Sequence, residues 1–210
     1  MSQRHTARTS SAAVLPPPGR LDDPLLAAAY EAVMDVGVRR TTMSEVSRRA
    51  GVSRMTVYRR YDDLHRLLAA LLTAELTAIA AAVGEQVATL PTARARLVAA
   101  TAATTRAVAD HPLLRRVLEL DPEELLPLVV DRLGSTQRVV LARLEDGIAE
   151  GQHRSGGDGS VRGGDPSLLA LTVLVTAQSF VFSGRVVRAT DPRAYDELAL
   201  LVDRYLEASS

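Results

Sequence analysis

The sequence predicts an all-α fold with about nine helices, and three observations support it. Apolar residues recur at spacings of three and four through most of the chain, which is the period of an amphipathic helix. No segment alternates apolar and polar residues as a half-buried strand would. The dipeptide Asp-Pro, a helix-start signal, stands before four predicted helices, at Asp23, Asp121, Asp165 and Asp191. At 210 residues the chain is long enough for one large or two small domains.

The first twenty residues differ in composition from the rest. Residues 1–20 are rich in Ser, Thr and Arg and contain the run PPPG, so we expect a disordered tail. Its arginines are consistent with an arm that follows a DNA backbone, or with a plain solvated tail. The first helix is then predicted from Pro24 to about Val36, and Gly37 ends it.

The segment 41–61, TTMSEVSRRAGVSRMTVYRRY, predicts two short helices joined by a glycine turn. Thr42 and Glu45 fit a capping box at the start of the first helix. Gly51 stands where that helix must stop, because glycine adopts left-handed backbone at little cost. Ser53 is the expected cap of the second helix, Arg54 to Arg60, which turns Val57 inward. This layout is that of a helix-turn-helix DNA reader.

The exposed side of the second helix is the expected DNA surface. We assign base reading to Arg54, Met55 and Arg59, and phosphate contacts to a polar set around them. Charge supports this reading, because residues 1–66 hold eleven arginines and seven acidic residues, a net charge of +4 in a chain of net charge zero. A merely solvated charged face is the competing interpretation. The complete DNA-binding set is Thr42, Ser53, Arg54, Met55, Thr56, Tyr58, Arg59 and Arg60.

The same segment resembles a known family. An apolar helix ending at Gly37, followed by TTxxxVxxxAGVSxxTVYxxY, is similar to the DNA-binding domain of the TetR family of transcriptional regulators. The domain that this motif marks covers roughly a fifth of the chain, and the twelve matching residues align without a gap. They are Gly37, Thr41, Thr42, Val46, Ala50, Gly51, Val52, Ser53, Thr56, Val57, Tyr58 and Tyr61.

The resemblance implies a two-part regulator. It implies a DNA-binding domain over residues 21–66 and a regulatory, ligand-binding and dimerisation domain over residues 67–208. It further implies a homodimer on a palindromic operator of double-stranded DNA, usually acting as a repressor that a small molecule releases. The alternative from a different class is a DNA-binding or interaction module with a packed core and no effector.

The C-terminal part continues the helical pattern. Helices are predicted from Leu64 to Ala88, from Ala93 to Ala109 and from Leu113 to Leu120. Further helices are expected over 122–150 (with a kink at Pro127), 166–187 and 192–207. Residues 151–165 hold six glycines, so we expect a mobile loop between the first and second of these.

Two further surfaces are predicted from these helices. The helix 166–187, which is uncharged as far as Gly184, and the helix 192–207 are expected to form the dimer interface, with a stripe of Leu198, Leu201, Val202 and Tyr205. An apolar or amphipathic effector is expected among the helices of 93–187, because apolar walls with a polar minority orient such ligands. Plain core packing, with the threonines bonded to their own helix, is the competing interpretation. The candidate effector residues are Thr101, Thr104, Thr105, Gln178, Phe180 and Phe182.

Several classes of protein find no support in the sequence. The chain has no cysteine, which excludes disulfides and thiolate metal sites and fits a cytoplasmic protein. Its four histidines show no metal-ligand spacing, and no catalytic or dinucleotide motif is present, so no metal, cofactor or enzymatic activity is expected. The apolar run 166–184 is interrupted by Ser, Thr and Gln, and we do not expect a membrane span.

Overall fold

The computed structural model describes residues 17–19, 21–124, 133–152 and 156–208, and within them it is helical. The expected all-α fold is confirmed, with ten α-helices in the described residues and one 3-10 turn at Pro122–Glu124. The α-helices are α1 Pro24–Val36, α2 Met43–Arg49, α3 Arg54–Arg60, α4 Leu64–Val87, α5 Ala93–Asp110, α6 Pro112–Leu120, α7 Ser135–Gly151, α8 Pro166–Phe182, α9 Gly184–Thr190 and α10 Ala194–Leu206.

Two apolar cores hold the described helices together. The first core joins α1, α2 and α3 to the start of α4 and to α6, so the helix-turn-helix is packed directly on the rest of the chain. The second core joins α5, α7, α8 and α10. Burial of this apolar surface is the main favourable contribution to folding. The first core contains Val33, Val46, Val57, Leu67, Leu71 and Leu113; the second contains Leu97, Ile148, Val161, Leu169, Leu198 and Leu206.

Side-chain caps that can be recognised in the sequence set the starts of the first five helices. The side chains of Asp23, Thr42, Ser53, Asp63 and Thr92 each accept a hydrogen bond from a backbone N–H in the first turn of the helix that follows. These bonds satisfy amide groups that have no partner inside the helix. The predicted starts of α1, α3, α4 and α5 therefore agree with the observed ones.

We expect Asp63→Ala to lower the free energy of unfolding by about 0.5–2 kcal/mol, the usual cost of losing an N-cap. The Asp63 carboxylate accepts from the Arg66 N–H at 2.7 Å at the start of α4. Urea denaturation at fixed protein concentration measures the change. The neighbouring exposed Asp62 provides the control, and Asp62→Ala should stay within about 0.5 kcal/mol of the parent. Equal losses in both variants would contradict the capping role.

The predicted helix 166–187 is wrong as a single element. It is broken at Ser183 into α8 and α9, which are bent by 66° to one another. The reason lies in packing, because Gly184 is buried and a Cβ built there would stand 3.0 Å from the Cβ of Ala109. A continuous helix would not bring the chain this close to α5. The final helix begins at Ala194 instead of 192.

The segment between α6 and α7 differs from the expected helix over 122–150. Pro122–Glu124 is a 3-10 turn, and α7 begins only at Ser135, after Gly134. The proposed kink at Pro127 lies outside the described residues.

The glycine-rich loop after α7 is fastened to the protein, contrary to the expected mobile linker. Val161 is buried in the second core, and its backbone forms an isolated bridge with Glu207. Asp158 accepts from the Ala93 N–H at 2.7 Å, which places it at the start of α5. The hydrogen bonds that Asp158 accepts from the Ser160 side chain and from the Ala93 backbone lower the pKa of its carboxyl group. The loop therefore serves as a structural cap for α5.

The end of the predicted tail is also attached. Residues 1–16 and 20 lie outside the described part, but Gly19 packs on the ring of Tyr30 and donates its N–H to Glu75 Oε1 at 2.8 Å. Glu75 lies in the middle of α4, and its other oxygen is 3.0 Å from His111 Nε2. Both side chains of this pair are only 7 % exposed. Burial and Glu75 together raise the pKa of Tyr30.

Helix α4 is long and apolar enough to meet the length and hydropathy criteria of a membrane span, and the bent pair α8–α9 meets them together. Part of the apolar character of α4 belongs to a buried stripe, whose residues recur at spacings of four on a helix that packs on α1, α5 and α7. They include the ionisable Glu75, which is paired inside the protein: Leu67, Leu71, Glu75, Ile79 and Val83.

Candidate nucleic-acid interface

A glycine turn sets α2 against α3. Gly51 has φ +67°, a left-handed conformation that glycine adopts without strain, and the Val52 N–H returns to the Ser47 carbonyl at 3.0 Å. Val46 of α2 and Val57 of α3 are fully buried, so both helices are held by the first core. The positions predicted to face inward and the predicted turn are confirmed.

The outer side of α3 is open to solvent. Met55 is 77 % exposed and Tyr58 is 49 % exposed, so both present apolar surface to solvent. Arg54 and Arg59 are exposed on the same short helix. Arginine forks and an exposed methionine are suited to base edges in a major groove. The helix therefore presents a charged surface with an apolar centre.

Two hydroxyl groups stand at the start of α3. Ser53 Oγ accepts the Thr56 N–H at 3.1 Å and lies 2.9 Å from Thr56 Oγ1. Both residues are exposed, so their remaining hydrogen-bonding capacity faces solvent at a helix N-terminus. Such a position favours anions, because unpaired amides and the helix dipole point at it. Phosphate contact by these residues remains a prediction.

The capping box expected at α2 is formed only in part. Thr42 Oγ1 accepts the Glu45 N–H, as expected, but the Glu45 carboxylate does not reach back to the Thr42 amide. Arg48 and Arg49 donate to it instead, at 2.6 and 2.7 Å, and these hydrogen bonds lower the pKa of Glu45 to about 2. The guanidinium groups outcompete one backbone amide because charge-assisted hydrogen bonds are stronger.

Arg60 differs from the other predicted DNA contacts. Its guanidinium pairs with Asp23 at 2.5 Å and lies over the ring of Tyr61, 5.6 Å from the centroid. Asp23 is the cap of α1, so Arg60 links α3 to the start of α1. The side chain remains half exposed, but a phosphate contact would require Arg60 to exchange one anion for another.

A polar contact that sequence reasoning missed joins the reader to α6. Asp121, buried at the end of α6, accepts the Val38 N–H at 2.8 Å. Beside it, Arg39 pairs with Glu123 at 3.0 Å, and Arg116 donates to the Asp35 carbonyl at 3.2 Å. No local pattern in the sequence indicates that Asp121 has a partner 83 residues away. The turn before α2 is thus held by the C-terminal part of the chain.

The predicted effector residues do not all converge. Thr101 and Thr105 are buried on α5, and Thr105 donates back to the Thr101 carbonyl at 2.7 Å, as the packing interpretation expects. The Thr101 hydroxyl has no partner in the described part of the chain. Thr104 is partly exposed.

The other effector candidates lie on α8. Gln178 Oε1 accepts from Gln137 Nε2 at 2.6 Å, across to α7. Phe180 packs against the second core and lies 6.2 Å from the ring of Tyr195, whereas Phe182 packs against the first core. Two residues on one helix at a spacing of two point in different directions, so these phenylalanines do not share a site.

The predicted dimer stripe is corrected by the structure. Leu198 and Val202 are buried in the second core, and Tyr205 is half-buried with Arg162 stacked 4.5 Å from its ring centroid. Of the four, only Leu201 is an exposed apolar residue, at 56 %. The stripe was assigned to the wrong side because the inward and outward apolar faces of α10 look alike in sequence.

Besides Leu201, exposed apolar residues that the sequence analysis did not name lie on α8 and α10. Their spacing of three and four along α8 was the available signal, since it marks a second apolar face on an uncharged helix. Side chains of this size in such number are typical of an interaction surface. We call this set the C-terminal apolar face: Leu168, Leu171, Val175, Leu200 and Leu201.

The exposed, arginine-bearing helix α3, which a glycine turn holds against α2, defines a helix-turn-helix DNA-binding protein. Residues 25–71 match the family described as bacterial regulatory proteins, tetR family. An HTH-type transcriptional regulator of Mycobacterium bovis is 36 % identical over 166 residues, covering 78 % of this chain and 81 % of the relative. A regulator of Mycobacterium tuberculosis is 35 % identical over the same length. The chain belongs to the TetR family of transcriptional regulators.

Solved structures show the same fold at low identity. The repressor QsdR of R. erythropolis has a TM-score of 0.65 and 15 % identity, over 89 % of this chain and 94 % of that one. FadR of Bacillus subtilis, solved in complex with stearoyl-CoA, has a TM-score of 0.59 and 17 % identity, over 88 % and 98 %. At these identities the likeness extends to the fold alone.

Proposed function

We propose that this transcriptional regulator is a repressor that binds its operator through α3 and is released by a small apolar or amphipathic effector. The observation that carries the DNA contact is the outer side of α3, where Arg54, Met55 and Arg59 are exposed around the buried Val57. Residues 21–66 form the DNA-binding unit in this proposal, and residues 67–208 regulate it in the cytoplasm. Thr42, Ser53, Thr56 and Tyr58 contact phosphates, and Arg60 does so after leaving Asp23.

A homodimer is part of the proposal. One short recognition helix contacts too few base pairs to specify a genomic site, whereas two related by a two-fold axis read a palindrome. The C-terminal apolar face supports the dimer, because five large apolar side chains on α8 and α10 are exposed in the single chain. We assign the interface to this face, with Leu201 retained from the sequence prediction.

We expect Leu201→Arg to shift the protein from dimer towards monomer, because a charge in an apolar interface is costly unless it is paired. Analytical ultracentrifugation over a concentration series measures the shift. Val139 of α7, which is also exposed, provides the control, and Val139→Arg should leave the dimer unchanged. A parental dimer population in the Leu201 variant would show that this face does not mediate assembly.

Release by a small apolar or amphipathic effector is the third part of the proposal. Support comes from the unpartnered buried hydroxyl of Thr101 and from the FadR neighbour, whose bound stearoyl-CoA is a large amphipathic molecule. Thr101, Thr104, Thr105, Gln178 and Phe180 remain the candidate residues on α5 and α8. The alternative, a DNA-binding protein without an effector, is favoured by the back-bonded Thr105 hydroxyl.

One experiment separates these functions. Selection of duplexes from a random library gives the operator, and a panel of acyl and other amphipathic compounds is then screened for release of that duplex. Enrichment of a palindrome and release by a compound support a sensing repressor. Enrichment without release by any compound supports the DNA-binding protein without an effector, and failure to enrich any sequence contradicts specific reading.

A further inference from the structure

The junction between α1 and α6 contains an open cleft of about 660 Å³, a volume within the range of small-molecule sites. Its walls come from both parts of the chain: the end of α1 and the turn before α2 on one side, and α6 on the other. Two exposed apolar residues, Val36 and Leu120, lie in it together with charged groups. The lining residues are Asp35, Val36, Arg39, Arg40, Arg116, Leu120 and Asp121.

The charges of this cleft are unevenly satisfied. Asp35 is paired with Arg49 at 2.6 Å, and Arg39 is paired with Glu123. Asp121 accepts the buried Val38 N–H. Arg40, by contrast, makes no ion pair or side-chain hydrogen bond with the residues that the structure describes. Asp35 and Arg39 are therefore neutralised by partners of their own. The remaining charges of the cleft are the guanidinium groups of Arg40 and Arg116 and the buried carboxylate of Asp121.

Arg116 provides the strongest indication of a ligand. Its Nη2 donates to the Asp35 carbonyl, but its Nε is buried and has no acceptor in the described part of the chain. A buried N–H of a charged group without an acceptor is costly, and a rotation of the Arg116 side chain towards the cleft would bring this N–H to an anionic oxygen. Arginine is suited to this because its planar fork matches the oxygens of carboxylates and phosphates.

We propose that this cleft binds a small organic anion, a phosphate or carboxylate attached to a compact apolar group. Arg116 and Arg40 hold the anionic oxygens, and the apolar group lies against Val36 and Leu120. The site is separate from the effector candidates on α5 and α8. Because its walls belong to both parts of the chain, a bound anion stabilises one arrangement of the reader relative to α6. By linkage it then changes operator affinity, and this last step rests on the proposed function.

Phenyl phosphate is titrated into the full-length ¹⁵N-labelled protein, and the chemical shifts of the backbone amides are measured by NMR. We expect saturable shifts of the Val36, Arg40 and Leu120 amides, and none with benzyl alcohol, the neutral probe. Arg116→Gln should weaken phenyl phosphate binding at least about tenfold, the loss of one charged hydrogen bond. The exposed neighbour Arg115 is the control, and Arg115→Gln should bind as the parent does.

A second pair of variants tests the site without removing an arginine. Leu120→Glu adds a negative charge to the cleft and should weaken phenyl phosphate binding more than Leu120→Gln does. Equal affinity of the Arg116→Gln variant and the parent would overturn the proposal. Shifts confined to α3 would also overturn it, because they would show the probe occupying DNA-contact arginines.

Operator binding, measured in parallel without phenyl phosphate, separates this inference from the proposed function. If the parent binds the selected operator but shows no saturable shifts in the cleft, only the anion site is wrong. If the cleft binds phenyl phosphate and no operator is selected, the anion site stands and the reading of DNA by α3 is wrong.

Discussion

Replacing Arg54 with alanine is expected to cost about 1–3 kcal/mol of binding to the selected operator and much less on random duplex DNA. Arg54 is exposed in the first turn of α3, beside a helix N-terminus that would meet the DNA backbone. A base contact contributes to the specific complex alone, whereas a phosphate contact contributes to both. Fluorescence anisotropy at one fixed salt concentration, with both duplexes, measures the difference.

Arg143 on α7 is exposed and far along the chain from the reader, so Arg143→Ala is the matched loss of one positive charge. It should leave both affinities close to those of the parent. Binding of the parent should also fall steeply with salt, because each phosphate contact releases counterions. Equal losses of Arg54→Ala on operator and random DNA would show that Arg54 contacts phosphate and does not read a base.

Replacing Glu75 with leucine is expected to lower the free energy of unfolding by about 2–6 kcal/mol, because two groups inside the protein each lose a hydrogen-bond partner. The change leaves His111 Nε2 and the Gly19 N–H without the partner that Glu75 provides. These two groups join α4 to the α5–α6 junction and to the segment before α1. Urea denaturation at fixed protein concentration measures the loss.

Two further variants distinguish the loss of the Glu75–His111 pair from a poor fit of the leucine side chain. Glu75→Gln keeps an oxygen for the Gly19 amide and should lose less than Glu75→Leu. The double change Glu75→Leu with His111→Leu removes both members and should recover much of the stability, because an apolar pair needs no partner. A double variant no more stable than Glu75→Leu alone would indicate that leucine does not fit in this part of the core.

Local features of this protein could be read from the sequence because their causes are local. Asp63 caps α4 through an amide three residues away, and Gly51 is left-handed because the turn after α2 requires it. The outward positions of α3 follow from a period of 3.6 and one buried residue, Val57. The recognition surface lies on a single short helix, so its exposed residues could be listed before the fold was known.

Tertiary structure decided what depended on a second element. Both apolar sides of α10 carry leucine, and only packing on α5 and α8 shows that Leu198 is buried and Leu201 exposed. The break at Ser183 depends on how closely Gly184 approaches α5. The bond from Val38 to Asp121 joins residues 83 positions apart, and no period or motif encodes such a pair. Helix caps and turns are set by neighbours in the chain, whereas the choice between two apolar faces is set by what packs against them.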